Sequence, residues 1–378
     1  MNILYDYQIF DIQKIGGISR YFYEIIKRSE RSTIGLKYSN NYYLQDDKSF
    51  NIKADPASFE SFLPKWQFPG KWTLFSLRNL FYNPQVTNNQ EISIDAIKNQ
   101  DYDIFHPTYY NPYFLDYLND KPFVLTVHDM IHELFPYYYS KSDPTTEYKK
   151  LLAFKANHII AISEQTKKDL LKFYNIPENK ISIIYHGSSL TKKDLSNKKN
   201  NKILKKRYFL FTGTRCLYKN FQHFIQSVIP LLKKDKELYV ICTANDFTSD
   251  EIRFFKETGI EKQIIHVFAT DYDLYELYHN AIAFVFPSYY EGFGLPILEA
   301  FEAECPVLLA NASCFPEIAR DAALYFDPQN NNEILDCCSQ VLNNDSLRQR
   351  LIQKGKERYK DFSWDKTARL TNNVYEKL

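Results

Sequence analysis

Short apolar runs and stretches of helical periodicity alternate along most of this chain. Runs at 2–5, 104–105, 123–127, 158–162 and 181–185 have the length of buried strands, and the spacing of apolar positions predicts helices over 19–28, 145–156 and 164–174. Ser19 stands where the first of these helices needs an N-cap. From Leu190 both periods vanish in LTKKDLSNKKNNKILKKR, a polar, Lys- and Asn-rich stretch that reads as a linker. The alternation then restarts, with strands expected at 208–211, 238–242, 264–268, 281–286 and 307–309. Helices are expected at 221–232, 251–258, 272–279, 332–342 and 346–359. Strand–helix alternation in two blocks predicts an α/β protein of two doubly wound, Rossmann-like domains facing across a cleft. The expected units are 1–190 and 208–361, joined by 191–207. Ligands in such sheets bind beyond the carboxyl ends of the strands, so residues just after strands are the ones to weigh.

The most informative stretch is AIAFVFPSYYEGFGLPILEAF, residues 281–301. Its apolar opening predicts a strand that Pro287 and Ser288 end. Glu291-Gly292-Phe293-Gly294 forms a loop, and Pro296 suits the first turn of a helix. Free amides and the positive dipole end at such a helix start attract anions. Glu291 and Glu299 bracket that start. A phosphate site between two carboxylates suggests a ligand with phosphate in the middle and hydroxyls at both ends, such as a nucleotide sugar.

Other strand ends add candidates. Gly16-Gly17 either lets backbone approach a phosphate or sugar, or serves only as a helix-entry turn. The dinucleotide pattern G-x-G-x-x-G is absent there. His128, closing the strand in TVHD, can hydrogen-bond a sugar hydroxyl or relay a proton, or bond only to loop backbone. His128-Asp129-Met130-Ile131-His132 has a zinc-like outline. The first His ends a strand and Asp replaces the key Glu, so zinc is not expected. His106 and His186 follow strands in the same way, with a role or a packing position equally open. Gly213-Thr214-Arg215-Cys216-Leu217-Tyr218-Lys219-Asn220 brings Arg215 and Lys219 to the cleft, where two cations suit a diphosphate. Asp271-Tyr272-Asp273 and Asp101-Tyr102-Asp103 match the short D-x-D pattern, but helix capping explains Asp271 better, and the second pair precedes a strand. No metal is expected. The aromatic and basic stretch 59–82 reads either as a packed helical excursion or as a membrane-contacting surface.

Composition narrows the classes. The 378 residues suffice for two domains, and a net charge of +1 gives no reason to expect nucleic-acid binding. The six cysteines, Cys216, Cys242, Cys305, Cys314, Cys337 and Cys338, form no C-x-x-C pair, which reads as a reduced, cytoplasmic protein. A strand at the start argues against a secretory signal. No apolar run approaches the roughly 20 residues of a bilayer span.

Taken together, these motifs resemble those of a family 4 retaining glycosyltransferase with the two-domain GT-B fold. The E-x7-E element stands as Glu291 to Glu299, and GGISRYF, TVHDMIHELFP, ISEQTKKDL, GTRCLYKNF and FSWDK follow the family's order. The resemblance implies an acceptor-binding first domain and a nucleotide-sugar-binding second one. A segment 362–378 would return to the first. It places Glu291 and His128 at the reaction centre, with Phe293 beside them at the donor sugar. Gly17, Arg215, Lys219, Gly294 and Leu295 would hold the diphosphate, with Phe268 at the base and Glu299 at the ribose. The chemistry implied is metal-independent front-face transfer without a cofactor. One departure is Tyr218, which precedes Lys219 where many relatives carry a second basic residue. GGISRYF and TVHDMIHE are similar to bacterial enzymes of surface-polysaccharide synthesis, often mannosyl or rhamnosyl transferases. That implies GDP-mannose first, with dTDP- and UDP-sugars open. The acceptor would be a growing lipid-linked glycan, met at the inner face of the membrane. Two alternatives share the fold: a nucleotide-sugar epimerase, disfavoured by the E-x7-E context, and a non-catalytic nucleotide-sugar binder, disfavoured by intact Glu291, Lys219 and His128.

Overall fold

The computed structural model describes residues 1–55, 71–72, 74–76, 88–188, 190, 206–215 and 217–378. The expected linker, apart from its end, lies outside the described residues, as does most of 59–82.

The N-terminal part runs β1 (Ile3–Tyr5), α1 (Gly17–Lys27), β2 (Ser32–Ile34), β3 (Ile104–His106), β4 (Val124–Val127), β5 (His158–Ala161), α2 (Glu164–Tyr174) and β6 (Ile181–Ile183). All pairings are parallel, in the orders β2-β1-β3 and β4-β5-β6, and a parallel bridge between Phe105 and Phe123 joins the two pieces. β1, β3 and β4 are buried throughout. That is why they read as continuous apolar runs rather than alternating ones.

The C-terminal part runs β7 (Arg207–Phe211), α3 (Phe221–Lys234), β8 (Leu238–Cys242), α4 (Ser249–Thr258), β9 (Ile264–His266), α5 (Asp271–His279), β10 (Ala283–Phe286), α6 (Leu295–Glu302), β11 (Val307–Ala310) and β12 (Leu324–Phe326). α7 (Asn331–Asn343), α8 (Asp345–Tyr359) and α9 (Trp364–Tyr375) follow. The six strands are parallel, in the order β12-β11-β10-β7-β8-β9. Tyr208, Phe209, Leu210, Phe211, Phe284 and Val285 are fully buried in this sheet, and burying such side chains stabilises the fold by roughly 1.5–3 kcal/mol each. The strand order changes direction between β10 and β7. The loops after these two strands therefore border the crevice where ligands bind in open α/β sheets.

Two local expectations are corrected. Helix α1 starts at Gly17, so Ser19 lies inside it. The Ser19 hydroxyl donates to Gly16 O at 3.1 Å, and its amide donates to Gln13 Oε1 at 3.1 Å, so Gln13 serves as the cap. Helix α5 is capped by Thr270, whose hydroxyl accepts from Asp273 N in a reciprocal capping box. That arrangement makes Asp273 a helix-start residue.

Residues from opposite halves meet along a seam. Glu317 accepts from Glu164 N at 2.7 Å and Gln165 N at 3.2 Å, so its carboxylate sits on the positive end of α2. Tyr290 OH donates to Asp169 Oδ2 at 2.8 Å. Helix α9 packs on α1, and Tyr375 OH meets Tyr5 OH at 2.8 Å and His106 Nδ1 at 2.6 Å. Among the described residues, no helix is long and apolar enough to cross a membrane.

Candidate functional site

Two helices begin at the same place. α1 starts after Gly16 and α6 after Gly294, N-cap residues without a side chain to offer, and of the first amides of α1 that of Ser19 is taken by Gln13 Oε1. Gly294 is left-handed (φ 87°), a conformation that costs glycine little, and Pro296 occupies the first turn of α6. A Cβ added at Gly17 would lie 3.2 Å from Leu295 Cδ1, so the two starts abut. Each carries roughly half a positive charge. Two such ends side by side repel one another unless negative charge lies between or beside them.

Glu291 and Lys219 supply the nearest charges. Lys219 Nζ donates to Glu291 Oε1 at 2.5 Å, with both side chains almost withdrawn from solvent. The Lys219 ammonium also lies 5.4 Å from the ring centre of Phe286, at the end of β10. Ser313, held left-handed at φ 53°, accepts from Glu291 N at 3.2 Å and donates to Glu291 O at 2.7 Å. That conformation is uncommon for a residue with a side chain, and here it fixes the Glu291 backbone.

The next residue touches the opposite wall. A Cβ on Gly292 would fall 1.7 Å from His128 O, so glycine is required by close approach rather than by backbone conformation. Gly292 O accepts from Ser163 Oγ at 2.6 Å and Thr166 Oγ1 at 3.3 Å. His128 is thereby pressed to within one residue of Glu291. Its amide donates to Tyr110 OH at 3.1 Å, while its buried Nε2 has no hydrogen-bond partner. An orphaned buried nitrogen costs about 1–3 kcal/mol, which a ligand hydroxyl would recover. Burial pushes the His128 pKa well below the ordinary imidazole range, helped by repulsion from Lys149 and from the neighbouring imidazoles of His186 and His106 whenever these are protonated. The ring is therefore neutral at physiological pH and can accept or donate a single hydrogen bond.

His106 and His186 differ in kind. Both ring nitrogens of His106 are engaged, by Tyr375 OH and by Thr126 Oγ1 at 2.9 Å, which makes it a packing residue. His186 packs edge-on against Phe293, and its Nδ1 is buried without a partner. Burial lowers the pKa of each to about 3. Phe293 itself is buried among Tyr185, His186 and Phe362, so only its backbone can face a ligand.

Of the expected pair of cations, Arg215 is engaged by protein partners on two of its nitrogens. Arg215 Nε donates to Glu251 Oε1 at 2.7 Å, Nη2 donates to Asp246 O at 2.6 Å, and the guanidinium lies over Phe247. It lines a cavity of about 560 Å³ with residues of α3 and α4, leaving Nη1 without a partner. Glu251 thus fixes the direction of the Arg215 side chain. Phe268 stands after β9 with 73% of its surface exposed, its ring packed edge-on with His266. Glu299, one turn into α6, receives Tyr278 OH at 3.2 Å and faces Arg20 of α1 at 3.6 Å. Arg20 escaped the sequence reading. The signal for it was its place three residues after Gly17, on the same helix face.

Sequence comparison adds the family. Residues 192–358 match the model of glycosyl transferases group 1, and residues 64–192 match that of glycosyltransferase family 4. The O-antigen chain mannosyltransferase B of Escherichia coli is 28% identical over 291 residues, 74% of this chain and 75% of the relative. The O-antigen chain mannosyltransferase RfbU of Salmonella typhimurium is 29% identical over 203 residues, 52% of this chain and 56% of the relative. Among solved structures, Anabaena HepE in complex with UDP-glucose superposes with a TM-score of 0.73 over the whole of both chains at 14% identity. WaaG, a glycosyltransferase involved in lipopolysaccharide biosynthesis, superposes with a TM-score of 0.71 over 99% of each at 13% identity. At these identities the superpositions speak for the fold, a GT-B pair of Rossmann-like domains.

Proposed function

The chain belongs to the family 4, group 1 glycosyltransferases, and from that premise we propose that it moves a hexose from a nucleoside-diphosphate sugar, GDP-mannose in first place, to a hydroxyl of a growing, lipid-linked surface glycan, with retention at the anomeric carbon. The observation that carries this reading is the meeting of two helix starts whose N-cap residues are glycines, α1 after Gly16 and α6 after Gly294, beside Lys219 and Glu291. A diphosphate between them turns a repulsive arrangement into an attractive one. Lys219 then neutralises phosphate charge that grows as the bond breaks, and Arg215 Nη1 is available to the same loop. Backbone amides at Gly17, Gly294 and Leu295 line the phosphates.

Glu291, released from Lys219 by the phosphate, accepts from hydroxyls of the donor sugar. His128 Nε2 meets a further sugar hydroxyl as a neutral imidazole, and the backbone of Phe293 closes that side. Glu299 accepts from the ribose hydroxyls, and Phe268 stacks on the base. In the transfer step the bond between the anomeric carbon and the phosphate oxygen breaks as the acceptor oxygen bonds on the same face. The acceptor's proton passes to the leaving phosphate. Lys219 and the two helix ends meet the charge requirement, so the reading needs neither metal nor cofactor. The mannose preference and the surface-glycan acceptor rest on the two O-antigen mannosyltransferase relatives. The enzyme would work in the cytoplasm at the inner membrane face.

The test is release of nucleoside diphosphate from GDP-, dTDP- and UDP-sugars, with and without lipid-linked glycan acceptors. Acceptor-dependent release with an α-linked product from an α-donor is expected. An epimerised donor, or tight binding without turnover on any acceptor, overturns the reading.

A further inference from the structure

Contacts between α1 and α6 run in register. Gly17 meets Leu295, and one turn further along both helices Arg20 meets Glu299. Spacings of three and four residues keep each helix's partners on one face. Arg20 Nη1 stands 3.6 Å from Glu299 Oε1, with side chains only 10% and 13% exposed. The other Glu299 oxygen, Oε2, takes the Tyr278 hydroxyl at 3.2 Å, and Tyr43 lies 6.0 Å beneath the Arg20 guanidinium. The glutamate is thus held from two sides. Tyr278 comes from its own domain and Arg20 from the opposite one.

We infer that Arg20 is the positioning residue for Glu299. Across the cleft it keeps the carboxylate turned to accept from both ribose hydroxyls, so tight nucleoside binding requires the N-terminal domain to be in place. The inference rests on the proposed contact between Glu299 and the ribose. It differs from a general role in closure because Arg20 then matters only for ligands that carry those hydroxyls.

Calorimetric titration of the full chain with GDP and UDP, and with their 2′,3′-dideoxy forms, tests this. Wild type, Arg20→Ala, Arg20→Lys, Glu299→Gln and the Arg20→Ala/Glu299→Gln pair are compared. Arg20→Ala is expected to weaken the ribose-containing nucleotide about tenfold, within the usual range for coupled sites. The dideoxy form should stay within about twofold, Arg20→Lys should recover part of the loss, and the double variant should lose no more than Glu299→Gln alone. Equal weakening of both nucleotide forms, or additive losses in the double variant, overturns the inference. If wild type binds ribose and dideoxy forms equally, the ribose assignment of Glu299 fails and takes the inference with it. If Glu299→Gln abolishes the preference and Arg20→Ala does not, the inference alone fails. Should Arg20→Ala not fold, Arg20→Gln carries the same comparison.

Discussion

Replacing Gly292 by Ala tests whether the two walls of the cleft must touch for turnover. The added methyl would lie 1.7 Å from His128 O and 3.1 Å from Asp129 Cβ. Restoring even a 3.0 Å carbon–oxygen separation moves the two loops apart by about 1.3 Å. Gly292 has no left-handed backbone to lose, so the cost is contact alone. The shift also stretches the 2.6 Å hydrogen bond from Ser163 to Gly292 O. A displacement of about 1 Å at a reaction centre lowers rates by roughly 10²-fold, and His128 and Glu291 flank this contact. We therefore expect Gly292→Ala to lower kcat/KM for the donor about a hundredfold. The melting temperature should fall by only a few degrees, because relief comes from opening the cleft rather than from disrupting either core. Gly259→Ala is the control. Gly259 caps α4 at φ 73° with open space around it, so it pays backbone strain of about 1 kcal/mol without touching the cleft. Steady-state release of nucleoside diphosphate and thermal unfolding decide the matter. A Gly292→Ala enzyme within threefold of wild type would refute the reasoning.

Three further expectations follow from the same geometry. Lys219→Ala and Glu291→Ala should each reduce turnover by about 10²–10³-fold with the fold retained by circular dichroism, and near-normal rates in either would remove both residues from the site. Turnover should persist within about twofold in excess chelator, because Lys219 and the two helix ends carry the charge; strict dependence on added divalent ion would contradict this. Stability should fall as pH drops from 6.5 toward 3. His106 and His186 stay neutral in the folded state to about pH 3, whereas the unfolded chain takes up their protons below about 6.5. Each should cost about 2 kcal/mol at pH 5 relative to pH 7, and denaturant midpoints that do not move over that range would count against both burials.

The two-sheet architecture was legible because buried parallel strands leave apolar runs that nothing else in the chain imitates. Phe284-Val285-Phe286 and Leu308-Leu309 are plain examples. β2 and β12 were not legible: each is three residues long at a sheet edge, too short to show a period. Glu291 and Lys219 could be found because each follows a strand end beside a glycine or a helix start. Arg215 satisfied the same rule, yet its direction depends on Glu251, a residue with no sequence relation to it. Gly292, Glu317 and Arg20 act on the opposite half of the molecule, and contacts across a cleft have no periodic trace in either segment.

Helix α9 sets an order of events in synthesis. Trp364, Val374 and Tyr375 complete the core around β1 and α1, and Gly187 lies so close to Trp364 that a Cβ there would fall 2.2 Å from its backbone nitrogen. The segment needed to close the first domain leaves the ribosome only after the whole second domain. During translation the earlier half waits with part of its apolar face open, and the second domain can finish first. Any chain whose residues 364–375 have not yet emerged carries an N-terminal half with an open apolar face, a state exposed to aggregation.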